Sequence, residues 1–358
     1  MSNLILIGPV KPLYSYGGPT RSISNLFELF DSKRVSVIVI SPKKNLDRTK
    51  NRKLLSHKNI FYNDSFLSGF KKIKSRDVIW LNSVFDYKTM FYLILLYKQN
   101  NKLIISPRGE LSTNAINTSK PFLKKIYLTI FKFFSKKAIF HVTSIMEFDE
   151  TSSFFPKNQT KLLPNLVQSS FIKNQNYSKS FVFFSRIHKK KGLYELLLLI
   201  KKSQISIKLD IYGFIEDTSY WKKCEDLIDT IDGIRYLGSI NNGDFSILKD
   251  KYTFFLFPTL NENFGHVILE ALSLGLIPLL TKNTTPFEEL TSKYFNLNFD
   301  LNHSSFLNVI EKALSMSIDE LDNLKGNTKL FFNDFKLNQA NHEKEYINFA
   351  GWDESGRA

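Results

Sequence analysis

The sequence predicts an α/β protein made of two doubly wound units in tandem. Three observations carry this reading. From residue 4 onward, short apolar runs alternate with segments whose apolar residues recur at helical spacing. The alternation lapses in the polar stretch Lys173–Ser180 and then begins again. The 358 residues suffice for two domains of about 150 residues each. Strand–helix alternation of this kind builds a parallel sheet wrapped by helices. Such sheets bind ligands beyond the carboxyl ends of their strands, and two of them imply a cleft between.

Each element has a local reason. Leu4–Ile7 is an apolar run stopped by Gly8-Pro9. Gly17-Gly18-Pro19 then precedes a helical pattern over Thr20–Phe30, and Val35–Ile40 reads as the next strand. Lys43–Lys58 is a charged loop. Val78–Asn82 is a strand, Lys88–Tyr97 a helix, and Lys102–Ser106 a strand ending in Pro107-Arg108-Gly109. Ala138–Val142 is another strand. Leu162–Val167 and Lys173–Ser180 read as a linker, which places a boundary at 170/171. The second pattern runs strand Ser180–Ser185, helix Gly192–Lys201, strand Ile207–Tyr212, helix Tyr220–Asp229 and short strand Ile234–Leu237. It continues with strand Thr253–Phe257, helix Gly265–Leu274 and strand Ile277–Leu280. The tail Gly351–Ala358 is small and polar and is left out of the fold.

Composition excludes several classes. With 43% hydrophobic and 23% charged residues, the chain is neither disordered nor a coiled coil. Its one cysteine, Cys224, allows no internal disulfide and fits a reducing, cytoplasmic compartment. The longest apolar run, Met90–Tyr97, falls short of the ~20 residues of a spanning helix. The amino terminus lacks the basic region of a secretory leader.

The net charge of +15 is unevenly placed. Residues 1–170 hold 27 Lys and Arg against 10 Asp and Glu; residues 171–358 hold 22 against 24. The first half is therefore expected to face something anionic. Its densest basic stretch is Ser119–Phe140, with six lysines and no acid between Glu110 and Glu147. Leu123, Ile126, Tyr127, Ile130, Phe131 and Phe134 form a helical stripe there, with most lysines off it. Two readings stand: an interfacial helix on anionic lipid, or an internal helix with a solvated lysine face.

Three clusters carry chemistry. In Phe257-Pro258-Thr259-Leu260-Asn261-Glu262-Asn263-Phe264-Gly265, a buried strand enters a loop holding Glu262, and a helix starts near Gly265. A helix start offers free N–H groups to anions and hydroxyls. Glu270 follows eight residues after Glu262, roughly 12 Å along the axis if all is helical. That exceeds the ~5 Å of a retaining hydrolase pair and suits two ends of one extended ligand. A solvated surface pair is the alternative. In the second cluster, Arg186 leaves the strand and Lys191 precedes the helix at Gly192. Two cations there suit a diphosphate, and a plain basic loop is the alternative. In the third, Gly17-Gly18 lets backbone approach a ligand.

Absences narrow the field. No Gly-x-Gly-x-x-Gly follows the first strand, no phosphate-binding loop with Gly-Lys-Ser/Thr occurs, and there is no Asp-x-Asp. No Cys/His cluster has metal-ligand spacing. Leaving-group charge then falls to Arg, Lys and helix dipoles rather than a divalent ion.

These residues are familiar as a set. The chain resembles the family 4 retaining glycosyltransferases of the GT-B fold along most of its length. The Glu-x7-Glu element Glu262–Glu270 and Ser185-Arg186-Ile187-His188-Lys189-Lys190-Lys191-Gly192 carry the likeness most specifically. Pro107–Ser112, Pro164–Val167, Asp210–Gly213 and Thr285–Phe287 match as well, and the likeness is to enzymes of bacterial O-antigen and capsule synthesis. The resemblance implies a first domain at 1–170 that binds acceptor, a donor domain at 171–332, and a final helix at about 333–350 crossing back. It implies that Arg186 and Lys191 bind the donor diphosphate and stabilise it as it leaves. Glu270 would hold the ribose hydroxyls. Glu262, with the backbone of Asn263, Phe264 and Gly265, would hold the donor sugar. Gly17 and Gly18 would approach the phosphates, while Gly213 and the Gly238–Ile240 turn would line the base pocket. Many relatives carry a His after the strand that here ends at Ser106; this chain has Arg108, so Arg108 and Glu110 are the acceptor or sugar candidates.

The implied reaction is metal-independent transfer with retention, from a UDP- or GDP-linked sugar to a lipid-linked oligosaccharide. No cofactor is implied. The protein would lie on the inner face of the cytoplasmic membrane, touching anionic lipid through 119–140, and would not bind nucleic acid. A transferase acting on a soluble or protein acceptor is the nearest rival. A basic nucleic-acid binder or a non-catalytic partner subunit would leave the Glu-x7-Glu element idle.

Overall fold

A computed structural model of the chain describes residues 2–10, 17–42, 59–62, 66–118, 120–240, 245–353 and 355–357. The charged loop expected at Lys43–Lys58 lies outside them. The chain divides into two compact units, Met1–Leu166 with Gln339–Ala358, and Val167–Asn338. The breaks thus fall at 166/167 and 338/339 rather than 170/171 and 332/333. Packing explains the first break: Leu163 and Leu166 are buried in one core and Val167 in the other. Nor is Lys173–Ser180 a solvated tether. Asn174 is buried within the second unit and donates to the Tyr252 carbonyl at 2.8 Å.

The first unit holds a seven-stranded parallel sheet: β1 Leu4–Ile7, β2 Val37–Ser41, β3 Ile60–Tyr62, β4 Val78–Asn82, β5 Lys102–Ser106, β6 Ile139–Val142 and β7 Thr160–Leu162. Its order is β3-β2-β1-β4-β5-β6-β7. The second unit holds β8 Ser180–Phe184, β9 Lys208–Tyr212, β10 Ile234–Tyr236, β11 Phe254–Phe257 and β12 Ile277–Leu280. They pair in parallel in the order β10-β9-β8-β11-β12. Both sheets reverse direction of winding once, between β1 and β4 and between β8 and β11. Crevices at such reversals, beyond the strand ends, are where open α/β sheets take ligands. The strands are short and apolar because helices cover both faces. β11 is Phe-Phe-Leu-Phe, entirely buried.

A polar chain runs through the first core. Trp80 Nε1 donates to Ser106 Oγ at 2.8 Å, and Ser106 Oγ lies 2.8 Å from His141 Nδ1. His141 Nε2 meets the Leu163 carbonyl and the Tyr346 hydroxyl at 3.0 and 2.9 Å. A neutral imidazole with its proton on Nε2 satisfies every partner. Burial, with Arg108 nearby, holds the His141 pKa well below its usual value. Tyr346 comes from the last helix, Ile318–Ala350, and stacks on Trp80 at 5.9 Å. That helix is longer than the expected 333–350, and its residues from Gln339 onward belong to the first unit.

Two expectations are corrected here. The tail is not outside the fold: Trp352 is 5% exposed in the first core and meets Phe30 edge-on at 6.2 Å. The apolar stripe of the basic segment does not all point one way. In helix Pro121–Phe134, Leu128 and Phe131 are buried and Tyr127 and Phe134 half-buried, while Leu123, Ile126 and Ile130 are exposed with Phe122 and Phe133. The apolar arc of the helix is wider than the face it buries, so periodicity alone does not choose the inner residues.

Two outcomes are expected. Trp352→Ala should lower stability by about 3 kcal/mol, as for a large buried aromatic, read by urea unfolding. The folded His141 pKa is depressed, so its contribution is present above the unfolded value of about 6.5 and is lost as pH falls below it. Thermal unfolding from pH 7.5 to 5.5 should show this loss, and His141→Gln should flatten the slope over that range.

Candidate functional site

The second unit's site grows from the ends of β8, β9 and β11. After β8, the ladder continues: Ser185 N–H donates to the Tyr212 carbonyl at 3.1 Å, and Ile187 N–H to the Phe214 carbonyl at 2.8 Å. Gly213 permits this closeness, since a Cβ there would sit 1.8 Å from the Ser185 carbonyl oxygen. Arg186 emerges between these bonds. Its Nη1 donates to both carboxylate oxygens of Glu216, at 2.7 and 2.8 Å. Sequence reasoning did not single out Glu216; its place one residue before the helix N-cap Asp217 was the available signal.

The loop then closes on β11. His188 caps a single tight turn, Lys189–Lys191, and Gly192 follows in the left-handed region at φ 69°. A Cβ on Gly192 would lie 2.0 Å from the Pro258 carbonyl oxygen. Leu260 N–H and Thr259 Oγ1 both donate to the Lys190 carbonyl, at 2.9 and 3.1 Å. This contact delivers Lys191 to Glu262: the ammonium donates to Glu262 Oε1. Thr259 Oγ1, with one proton to share between this carboxylate and the Lys190 carbonyl, lies 3.3 Å from the same oxygen, and Glu262 N–H donates to the Thr284 carbonyl at 2.7 Å. The Lys191 and Glu262 side chains are 13% and 9% exposed.

Glu262 is on a loop, and helix His266–Ser273 begins only after Gly265, at φ 80°. The axial estimate for Glu262 and Glu270 therefore does not apply, because only the residues from His266 on are helical. Phe264 is buried against Phe287, with ring centroids 5.7 Å apart, and Asn263 and Glu270 are half-buried. Gly213 N–H donates to the Gly238 carbonyl at 2.9 Å, bringing those two glycines together. Ile240 is half-buried against the second core. The Asp210 carboxylate is committed within the unit: it accepts from Arg235 Nε and Nη2 at 2.8 Å each and from the Tyr252 hydroxyl at 2.6 Å.

In the first unit, Arg108 stands beyond β5 at φ 57°. Its Nε and Nη2 donate to Asn82 Oδ1 at 3.1 and 2.7 Å, and Nη1 to Asn165 Oδ1 at 2.8 Å. Burial pulls its pKa down. Glu110 is differently employed. It accepts from Ser83 Oγ at 2.8 Å and from the N–H groups of Val84 and Phe85 at 2.6 and 3.0 Å. Burial pushes its pKa up against those bonds. Glu110 thus clamps the loop after β4. Buried Glu147 does the same for Gly109, whose N–H it accepts at 2.7 Å. Gly17, at φ 64°, caps helix Gly18–Ser32, and Gly18 is its first residue. Among the described residues, no three His, Cys, Asp or Glu side chains gather in a way that could hold a metal ion.

Residues 168–331 match the family of glycosyl transferases group 1. All the second-unit candidates lie inside that segment, and Gly17, Gly18, Arg108 and Glu110 lie outside it. An Escherichia coli O-antigen chain mannosyltransferase B is 28% identical over 147 residues, 39% of this chain and 37% of the relative. The match thus spans little more than a third of that relative's length. Among solved structures, a sucrose-phosphate synthase from Thermosynechococcus elongatus aligns with TM-score 0.69 and 15% identity, covering 92% of this chain and 95% of its own. Anabaena HepE in complex with UDP and glucose gives 0.68 and 14%, covering 92% and 94%. WaaG, a glycosyltransferase involved in lipopolysaccharide biosynthesis, gives 0.60 and 12%, covering 92% and 95%. The fold is GT-B.

Substitution separates the glycines. Gly192→Ala should cost about 2 kcal/mol or more from overpacking against Pro258, while Gly238→Ala, which meets nothing within 4 Å, should cost only the ~1 kcal/mol of left-handed backbone. Urea midpoints of the two variants check this order.

Proposed function

We propose that the protein is a retaining, metal-independent glycosyltransferase that moves a sugar from a nucleotide-sugar to a lipid-linked acceptor in bacterial surface-polysaccharide synthesis. The observation that carries this reading is the meeting of Lys191 and Glu262 at the winding reversal between β8 and β11, on the same loop that carries Arg186. A diphosphate leaving group gathers charge as the sugar departs, and fixed cations stabilise that charge. Arg186 and Lys191 supply them. Glu262 holds donor-sugar hydroxyls, and Glu270, farther along the same segment, holds the ribose. The acceptor hydroxyl attacks on the face from which the diphosphate leaves. Arg108 contacts acceptor or sugar; Glu110 supports it by shaping the loop after β4. The likeness to an O-antigen mannosyltransferase and to WaaG supports the polysaccharide setting, and HepE with UDP supports the donor class.

The acceptor reading has a surface to match. No helix among the described residues is long and apolar enough to cross a membrane. Helix Pro121–Phe134 exposes Phe122 at 72%, with Leu123, Ile126, Ile130 and Phe133. Helix Tyr87–Leu96 exposes Tyr87, Phe91, Ile94 and Leu95. Tyr97 joins the two, stacking on Phe133 at 5.5 Å. Lys120, Lys125, Lys132, Lys136 and Lys137 are exposed along this region. Exposed apolar side chains with lysines in the same segment suit the headgroup region of an anionic leaflet, here the inner face of the cytoplasmic membrane. A second copy of the chain would bring lysines against lysines.

Calorimetry across UDP- and GDP-sugars in EDTA tests the donor reading. One nucleotide-sugar should bind without metal, and Arg186→Ala and Glu270→Ala should each weaken it at least tenfold. If none binds at millimolar concentration, alone or with membrane lipid extract, the transferase reading fails. Flotation tests the surface: the protein should bind vesicles containing phosphatidylglycerol and not pure phosphatidylcholine. Phe122→Ser with Phe133→Ser should abolish flotation and leave nucleotide-sugar binding intact.

A further inference from the structure

Both cations assigned to the donor diphosphate already face a carboxylate, and the two pairs differ in kind. Lys191–Glu262 is buried, at 13% and 9% exposed. Opening it would strand a charge away from water, which is costly. Arg186–Glu216 is about one-third exposed on each side, at 32% and 34%. An ion pair so placed is weak and exchanges readily. Of the two, Arg186–Glu216 is the pair an incoming anion can break.

The backbone under Glu216 has no slack. Its N–H donates to the Ile187 carbonyl at 3.2 Å, and Ile187 pairs with Ile215 as a short extension of the β8–β9 ladder. One residue on, Asp217 accepts from Tyr220 N–H at 3.0 Å and starts helix Thr218–Ile228. The Glu216 carboxylate is therefore held beside Arg186 on both flanks and can leave only by rotating its side chain.

We propose that Glu216 is a built-in competitor for the donor diphosphate: its carboxylate occupies the Arg186 guanidinium in the empty site, is displaced when the diphosphate binds, and returns to help expel the nucleoside diphosphate product. This rests on the donor reading of Arg186. No covalent step is involved; one ion pair replaces another. A carboxylate on this fixed backbone stays near the bound diphosphate after losing Arg186, and like charges at close range weaken binding. The consequence is a site that releases its spent leaving group faster at the cost of donor affinity.

Isothermal calorimetry with sodium pyrophosphate in EDTA, on the full chain, tests it without knowledge of the nucleotide. Glu216→Gln should tighten pyrophosphate at least fivefold, and Glu216→Asp, which keeps the charge, should gain less than Glu216→Gln. Arg186→Ala should weaken it, and adding Glu216→Gln to Arg186→Ala should restore less than the same change gains in the intact protein. Unchanged thermal unfolding of Glu216→Gln verifies the fold. Weaker or equal binding by Glu216→Gln would overturn the proposal and make Glu216 an orienting partner of Arg186. Wild-type binding that Arg186→Ala does not weaken would instead remove the donor reading of Arg186, and this proposal with it. Failure of both wild type and Glu216→Gln to bind at millimolar pyrophosphate also overturns it.

Discussion

The second unit's site depends on one steric constraint, the absence of a side chain at Gly192. With a Cβ 2.0 Å from the Pro258 carbonyl oxygen, the loop after β8 would have to withdraw from the loop after β11. Lys191 and Glu262 would then lose each other, because each is carried on one of those loops. Gly213 performs the matching task on the other flank, letting the loops after β8 and β9 zip together. Two glycines thus set the distances of three loops, and through them the positions of Arg186, Lys191 and Glu262. The charged side chains react to this geometry rather than create it.

Carboxylates in this protein do three different jobs, and burial sorts them. Glu110 and Glu147 are consumed by backbone N–H groups and hold loops at the ends of β4 and β5. Glu262 is paired in a buried setting where separation is expensive. Glu216 is paired at a surface where separation is cheap. Residue type alone did not distinguish these roles; backbone N–H donors mark the first, and burial separates the other two. Glu110 is therefore engaged by the loop after β4, whereas the Arg108 guanidinium meets only amide oxygens within hydrogen-bond distance among the described contacts.

The last segment of the chain orders the first unit's core in two ways. Tyr346 completes the hydrogen bonds of a buried neutral His141, and Trp352 packs on Phe30. Late residues are therefore structural members of a unit whose strands all come from the first half. Meanwhile helices Tyr87–Leu96 and Pro121–Phe134 leave large apolar side chains outside. Tyr92, Leu93, Leu128 and Phe131 take the inward faces of these helices, and the exposed residues lie outside that core.

The sequence by itself determined the two-unit α/β plan, the strands at Leu4–Ile7, Val78–Asn82, Lys102–Ser106 and Phe254–Phe257 to within a residue, and the local clusters around Arg186–Lys191 and Glu262–Glu270. These are legible because they rest on short-range physics: apolar runs of strand length, glycine at turns, and charge beside a helix start. Tertiary structure decided the rest. The three-residue strands Ile60–Tyr62 and Thr160–Leu162, unmarked in the sequence reading, exist through edge pairing. The inner residues of Pro121–Phe134 were set by which neighbours it packs on, since its apolar arc is wider than the face it buries. Trp352 looked like part of a polar tail until Phe30 stood beside it. Glu216 lies thirty residues from Arg186, and only parallel pairing of β8 with β9 brings them together. Contacts between distant residues follow from strand order and register, and neither can be read from a local window of sequence.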